Sequence, residues 1–301
     1  MATVKDWISA FRLRTLFLAV ATVVLGSGLA LREGSFSATT FLLSFLLAVS
    51  IQILANLAND LGDFQKGTDT TGHRKGPTRA LQSGRISPRE MKVAIALFSA
   101  VCIITGLSLV LNVIACISRL SAAILIGLGA AGILAALFYT LGKHAYGYKG
   151  WGDLFAFIFF GPVPVIGVYF LHTRTLNFQP LPPAAGIGLI SAMILNINNM
   201  RDIENDRASG KITLAAKLGI HRAKIYHAGL TLASFLCFIG YSCLYAPSPR
   251  YRYLYLFIFL SFFGILSNAY RKSGQELDPY LKRTSLSGFL LAIAFSACIT
   301  L

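Results

Sequence analysis

The chain has 301 residues, of which 55% are hydrophobic and 13% charged, where an average soluble domain carries about a quarter charged residues. Its formal net charge is +15. Composition therefore excludes an ordinary soluble domain, and the placement of the charge, taken up below, excludes nucleic acid as the reason for it.

The first feature in chain order is residues 7–17, WISAFRLRTLF, an amphipathic stretch suited to lying at a membrane interface. Apolar runs follow at 15–31, 40–57, 91–113, 121–141, 154–171, 183–200, 223–245, 253–270 and 285–301. Each is long enough to cross a hydrocarbon layer of about 30 Å as a helix, and helices satisfy every backbone amide within the segment. The first run lacks a clear cleavage site and is not read as a signal peptide. The expected fold is all-α, a multi-pass membrane protein of nine transmembrane helices forming one domain over residues 1–301. The five cysteines lie in or beside the apolar runs without metal-ligand spacing and read as packing residues.

With the N-terminus in the cytoplasm, threading nine spans puts 22 of the 27 Lys and Arg on the cytoplasmic side. This is the positive-inside asymmetry, so the basic excess reports topology and the lipid bilayer rather than nucleic acid. Of the twelve acidic residues only Glu33 falls outside. A transporter would more often carry ionisable groups at mid-membrane on broken helices. Here they collect at one mouth.

The second run ends in NLANDLGDFQKGTD (56–69) and the sixth in NNMRDIEND (198–206), with 142 residues between Asp60 and Asp202. Asn56, Asp60 and Asp63 stand at i, i+4 and i+7, and Asn199, Asp202 and Asp206 at i, i+3 and i+7, so each set occupies one face of a helix end. Either an internal duplication or a coincidence between short Asn/Asp strings accounts for the echo. Facing each other, the two ends would converge four aspartates on a small volume, and at low dielectric they need cations. Oxygen ligands without His or Cys select a hard cation, Mg²⁺ first. Lys66, Arg74, Lys75 and Arg79 follow the first cluster, and Arg201, Arg207, Lys211 and Lys217 surround the second. Carboxylate, Mg²⁺ and Arg/Lys together suit a diphosphate, and there is no GxxxxGK[ST] loop for a nucleotide. A diphosphate on a lipid explains the location, and an allylic one reacts by losing diphosphate to leave a carbocation.

These clusters, with NNMRDIENDRASGKITLAAKLG (198–219), resemble the UbiA superfamily of intramembrane aromatic prenyltransferases. QILANLANDLGDFQKGTDT (52–70), GPTRALQSGRISPREM (76–91) and YTLGKHAYGYKGWGDLFAFIFFGPVPVIGVYF (139–170) are similar to its 1,4-dihydroxy-2-naphthoate polyprenyltransferase branch. The resemblance covers residues 7–220; the last three helices agree mainly in hydropathy. It implies a nine-helix bundle around a cavity in a bacterial cytoplasmic (inner) membrane. It also implies transfer of a polyprenyl chain from polyprenyl diphosphate to 1,4-dihydroxy-2-naphthoate with loss of CO₂. Carried over, Asp60, Asp63, Asp202 and Asp206 bind Mg²⁺ and act in catalysis. Asn56, Asn59 and Asn199 accompany them at the substrate, and Arg79, Lys211 and Lys217 help to hold the diphosphate. A common superfamily pattern places a third aspartate where this chain has Gly67; Asp69 follows two residues later, and its role as a metal ligand is left open. At the N-terminus FRLRTLFLAVATV replaces a Pro-containing start, with Arg14 a candidate to face the cavity.

Tyr139, Lys143 and Lys149 either orient a hydroxy-carboxylate acceptor or serve as interfacial and positive-inside residues, and Asp153 is placed to accept a phenolic hydrogen bond. FFGPVPVIG (159–167) predicts a kinked or opened fifth span. His73 and His144 read as loop residues. Two alternatives remain: the same chemistry on 4-hydroxybenzoate or homogentisate, and a transporter with acidic gates. The oligomeric state is not readable from the sequence.

Overall fold

The computed structural model describes residues 2–69, 71–245 and 250–301; Thr70, the last residue of the 52–70 stretch, lies outside them. Twelve helices and connecting 3₁₀ turns make up the regular structure, with no strand among the described residues. They group into nine apolar helical stretches long enough to span a membrane. Large apolar side chains such as Leu97, Leu111, Leu120, Leu236, Phe257 and Leu260 are exposed. On a soluble protein such a surface would be an aggregation hazard; around a membrane bundle it faces lipid.

The N-terminal amphipathic stretch is not one continuous element. Helix α1 (Val4–Phe11) begins with a Thr3–Asp6 capping box and stops at Arg12, whose φ of 50° is left-handed. A 3₁₀ turn (Leu13–Thr15) then leads into α2 (Leu16–Arg32). Ser37 caps α3 (Ala38–Gln65), which carries the first acidic cluster at its last turns. Ser87 and Glu90 form a capping box, with Pro88 in the first turn, to start α4 (Pro88–Val113), and α5 (Arg119–Phe138) follows. The fifth span is opened where its sequence indicates, with α6 (Gly152–Phe159) ending before Gly161 and α7 starting at Pro162 (Pro162–Thr173).

The second cluster departs from the expected single helix face. Helix α8 (Leu181–Arg201) ends one residue early, Asp202 sits at the junction with φ −103° and ψ 16°, and the short α9 (Ile203–Ala208) carries Asp206. The next stretch, α10 (Leu214–Tyr245), starts nine residues before its apolar run and bends at Gly219, where φ is 76°. Helices α11 (Ile258–Arg271) and α12 (Asp278–Thr300) complete the bundle.

Helices α2 and α8 are the inner pair. α2 packs on α3, α7 and α12, and α8 packs on α6, α10 and α12. Lipid supplies no hydrophobic force between helices, so these contacts depend on small residues that let backbones approach. At the opened fifth span Gly161 meets Gly188 of α8. A Cβ on Gly188 would lie 2.5 Å from the Phe157 carbonyl oxygen, a backbone atom that cannot swing aside. Gly188→Ala is therefore expected to destabilise the fold by about 1–3 kcal/mol, read as a lower thermal midpoint in detergent. Gly240→Ala, where an added Cβ meets nothing within 4 Å, should leave the midpoint unchanged or raise it.

Candidate functional site

At the end of the bundle carrying both acidic clusters, three connecting segments fold onto the tip of α3. Residues 139–151 approach closely because residue 62 is glycine: a Cβ there would lie 2.4 Å from Thr140 Oγ1. Thr140 Oγ1 donates to the Ala58 carbonyl at 3.0 Å, and Lys66 Nζ donates to the Thr140 carbonyl at 2.7 Å. The Ile212 amide donates to the Tyr148 carbonyl at 3.2 Å, and Thr71 hydrogen-bonds Asn205, so segments 66–87, 139–151 and 202–213 interlock.

The acids lie inside this knot. Asp60, Asp63, Asp69, Asp202 and Asp206 are all buried. Asp63 is fully enclosed: Oδ2 accepts from Arg79 Nη1 at 2.7 Å and Oδ1 from the Tyr148 hydroxyl at 2.7 Å, with Lys211 Nζ 3.3 Å from both. Asp69 accepts from Arg74 Nη1 at 2.7 Å and from Arg79 Nη1 at 3.4 Å. Asp202 is gripped by Arg201, whose Nη2 and Nε donate to its two oxygens at 2.5 and 3.2 Å. Arg201 Nη1 also reaches Asp278 at 2.5 Å, and Asp278 pairs with Arg14 at 2.9 Å. Asp206 accepts from Thr213 Oγ1 at 3.3 Å, and Asp60 Oδ1 is buried without a hydrogen-bond partner among the described residues.

The expected convergence of four bare aspartates is thus modified. Among the described residues no three Asp, Glu, His or Cys side chains gather as a metal nest, because guanidinium and ammonium groups stand between them. The reason is electrostatic: buried carboxylates at low dielectric take whichever cations the chain provides. Protonation follows the same balance. Burial opposes the protonated form of Arg79, yet the carboxylates of Asp63 and Asp69 hold it above its ordinary value, while burial pushes Asp206 up to about 6 against the pull of Lys211. Burial also works against Asp202, but its hydrogen bond and charge pairing with Arg201 keep it below the usual carboxylate range. Burial and the adjacent Asp63 raise the Tyr148 phenol, which stays a donor.

Beside the knot lies a chamber of about 250 Å³. Its polar end is lined by Arg12, Asn56, Asn59, Arg79 and Lys211, so cationic side chains face the space with the carboxylates behind them. Along one wall Tyr139, Tyr146, Phe155 and Phe159 form an aromatic ladder, successive ring centroids being 5.4, 4.0 and 6.0 Å apart. At its inner end the chamber shares Ile51, Gly132, Phe159 and Phe160 with an apolar cavity of about 270 Å³ that runs on between α2, α3, α4, α5 and α7.

The sequence-derived candidates separate accordingly. Arg79, Lys211, Tyr139, Asn56 and Asn59 line the chamber. Asn56 also fastens the α1–α2 turn, its Nδ2 donating to the Phe11 carbonyl and to Thr15 Oγ1 at 2.9 Å each. At the end of α8 it is Asn198 that lines the chamber, not Asn199, because one helical step turns a side chain about 100°. Lys143 and Lys149 are exposed. Lys217 is exposed too and spends its ammonium on the Lys149 carbonyl at 2.9 Å, a loop contact. Asp153 is buried against Tyr226 of α10, outside the chamber lining. His73 and His144 are exposed loop residues. Arg14 lines the chamber, as does Arg12, whose buried Nη2 has no partner among the described residues. Arg12, Tyr148 and Asp278 are site residues that no sequence pattern announces.

A polytopic α-helical protein with a cation-lined chamber at one end and an apolar cavity beside it is the class that the fold and site define. It has the architecture of the solved UbiA homologue from Archaeoglobus fulgidus bound to GPP and Mg²⁺, with a TM-score of 0.70 at 14% identity over 98% of this chain and 99% of that one. The chain belongs to the UbiA prenyltransferase family, whose model matches residues 19–293. It is 36% identical to a 1,4-dihydroxy-2-naphthoate octaprenyltransferase of Haemophilus influenzae over 97% of this chain and 94% of that one. Identity to the Escherichia coli protein of the same description is 40% over 77% of this chain and 75% of that one.

Tyr148→Phe removes the hydroxyl on Asp63 while keeping the ring. A hydrogen bond to a charged group contributes about 1.5–3 kcal/mol, so a lower thermal midpoint is expected, together with faster hydrogen exchange in segment 139–151.

Proposed function

We propose that the protein transfers a polyprenyl chain from an allylic polyprenyl diphosphate to 1,4-dihydroxy-2-naphthoate, releasing diphosphate and CO₂. The proposed setting is a bacterial cytoplasmic membrane with the charged mouth facing the cytoplasm. One observation carries the reading: a cation-rimmed chamber with an aromatic wall lies against an apolar cavity, the two sharing Ile51, Gly132, Phe159 and Phe160, an arrangement that suits a charged head on an isoprenoid tail. The descriptions of the curated relatives supply the acceptor, and the basic residues of the 66–87 and 202–213 segments support the orientation.

The residues suit the steps. The allylic C–O bond breaks with its electron pair leaving on the diphosphate, and Arg79, Lys211 and Arg12 offer positive charge where the negative charge develops. Tyr139, Tyr146 and Phe155 present ring faces and exclude water from the prenyl cation. The ring carbon that bears the carboxylate forms the new C–C bond with a ring π pair, and that carboxylate then leaves as CO₂, its bonding pair restoring the ring. The oxygen-only donor set and the orphaned Asp60 Oδ1 fit a hard divalent cation. Asp60, Asp63, Asp202 and Asp206, with Asp69 beside them, are the residues that would hold Mg²⁺, which when bound supplies further charge neutralisation to the leaving group.

Purified protein given Mg²⁺, an allylic diphosphate and the naphthoate is expected to release CO₂ in step with prenylated product, and to release none with 4-hydroxybenzoate. Product from 4-hydroxybenzoate alone would overturn the acceptor assignment. Asp60→Asn and Asp202→Asn should each lower turnover by about 10²–10³-fold in protein that still folds. Lys143→Ala and Lys149→Ala, in exposed positions, should stay near wild type.

A further inference from the structure

Five buried acids, Asp60, Asp63, Asp69, Asp202 and Asp206, lie among basic side chains at the same end of the bundle: Arg12, Lys66, Arg74, Arg79, Arg201 and Lys211. Asp63 and Asp69 have no side-chain exposure at all, and the groups that cover them from the chamber side are Arg79 and Lys211. A cation entering alone would meet positive charge first and would leave the site with excess charge at low dielectric. A diphosphate entering alone would leave the opposite excess. Arriving together they restore the balance, provided that the basic groups turn from carboxylate to phosphate.

We propose that Lys211 is an exchangeable counter-ion: it neutralises Asp63 while the chamber is empty and passes to the diphosphate when donor binds, opening Asp63 to the divalent cation. Resting on the prenyl diphosphate reading above, this makes cation binding conditional on the donor. Lys211 is suited to the exchange by its contacts. Its ammonium stands 3.3 Å from each Asp63 oxygen, longer than the 2.7 Å Arg79 and Tyr148 contacts, so it is the loosest of the three partners. It also faces the rings of Tyr148 and Tyr139, with centroids at 5.2 and 5.9 Å, which line its path toward the chamber. A flexible stem and a compact point charge let an ammonium change partners. Arg79, bridging Asp63 and Asp69, stays as the fixed part of the cluster. Asp60, whose Oδ1 has no hydrogen-bond partner among the described residues, is the acid open before the exchange.

The test uses the full chain in detergent, Mn²⁺ as the spectroscopic cation, and a non-hydrolysable prenyl thiolodiphosphate as donor probe. Without donor, Lys211→Met is expected to bind Mn²⁺ about tenfold or more tighter than wild type, within the range of ordinary site-to-site coupling. The same variant should bind the thiolodiphosphate more weakly. Lys211→Arg, which keeps the charge, should bind Mn²⁺ alone as wild type does, and Lys211→Gln serves as a second neutral variant if Met impairs folding. A purely structural lysine would weaken both ligands when replaced. Unchanged or weaker Mn²⁺ binding in both neutral variants overturns the exchange. If the wild type still prenylates the naphthoate, only the exchange falls; if the wild type neither transfers nor binds the thiolodiphosphate, the functional reading falls with it.

Discussion

Mutual neutralisation of buried carboxylates and basic side chains is the constraint on which the rest of this end of the bundle depends. A paired buried charge removed from its partner costs about 3–5 kcal/mol, so the segments carrying Arg79 and Lys211 are bound to the tip of α3 by the same groups that give the site its chemistry. Asp63 alone joins three segments, through Arg79 of 66–87, Tyr148 of 139–151 and Lys211 of 202–213. Folding of the cap and assembly of the site are therefore one event.

The transmembrane scaffold is built on a different principle. Small residues set how closely α2 and α8 meet their neighbours, and a glycine pair lets the broken fifth span lie against α8. That break carries Phe159 and Phe160 to the junction of the two cavities. Charge organises the mouth, volume organises the interior, and the aromatic ladder runs from one to the other.

Hydropathy makes the spans legible because membrane helices are written as long apolar runs, and nine reappear among the described residues, several of them starting about ten residues before their apolar run. Helical spacing likewise brings Asn56, Asp60 and Asp63 onto one face of α3. It fails at the second cluster, where the chain leaves the helix at Asp202 and where Asn198 rather than Asn199 lines the chamber. Arg12 is hidden for another reason: its orientation comes from a left-handed residue between α1 and the next turn, and nothing in FRLRT announces it. The Arg14–Asp278–Arg201 chain joins residues 264 and 77 positions apart and so lies beyond any local pattern. Lys143, Lys149 and Lys217 stand exposed and outside the chamber lining, a distinction that composition does not carry because positive-inside and substrate lysines read alike.

Gly62 sits between the two acids of the first cluster and takes no part in their chemistry. Its place there is a matter of clearance: with Thr140 Oγ1 2.4 Å from where a methyl would be, even alanine would lift segment 139–151 off α3 and take the Tyr148 hydroxyl away from Asp63. The spelling of the acidic helix end is thus partly a specification of empty space. A search that scores only ionisable letters would accept a chain that keeps every carboxylate and still cannot close over them.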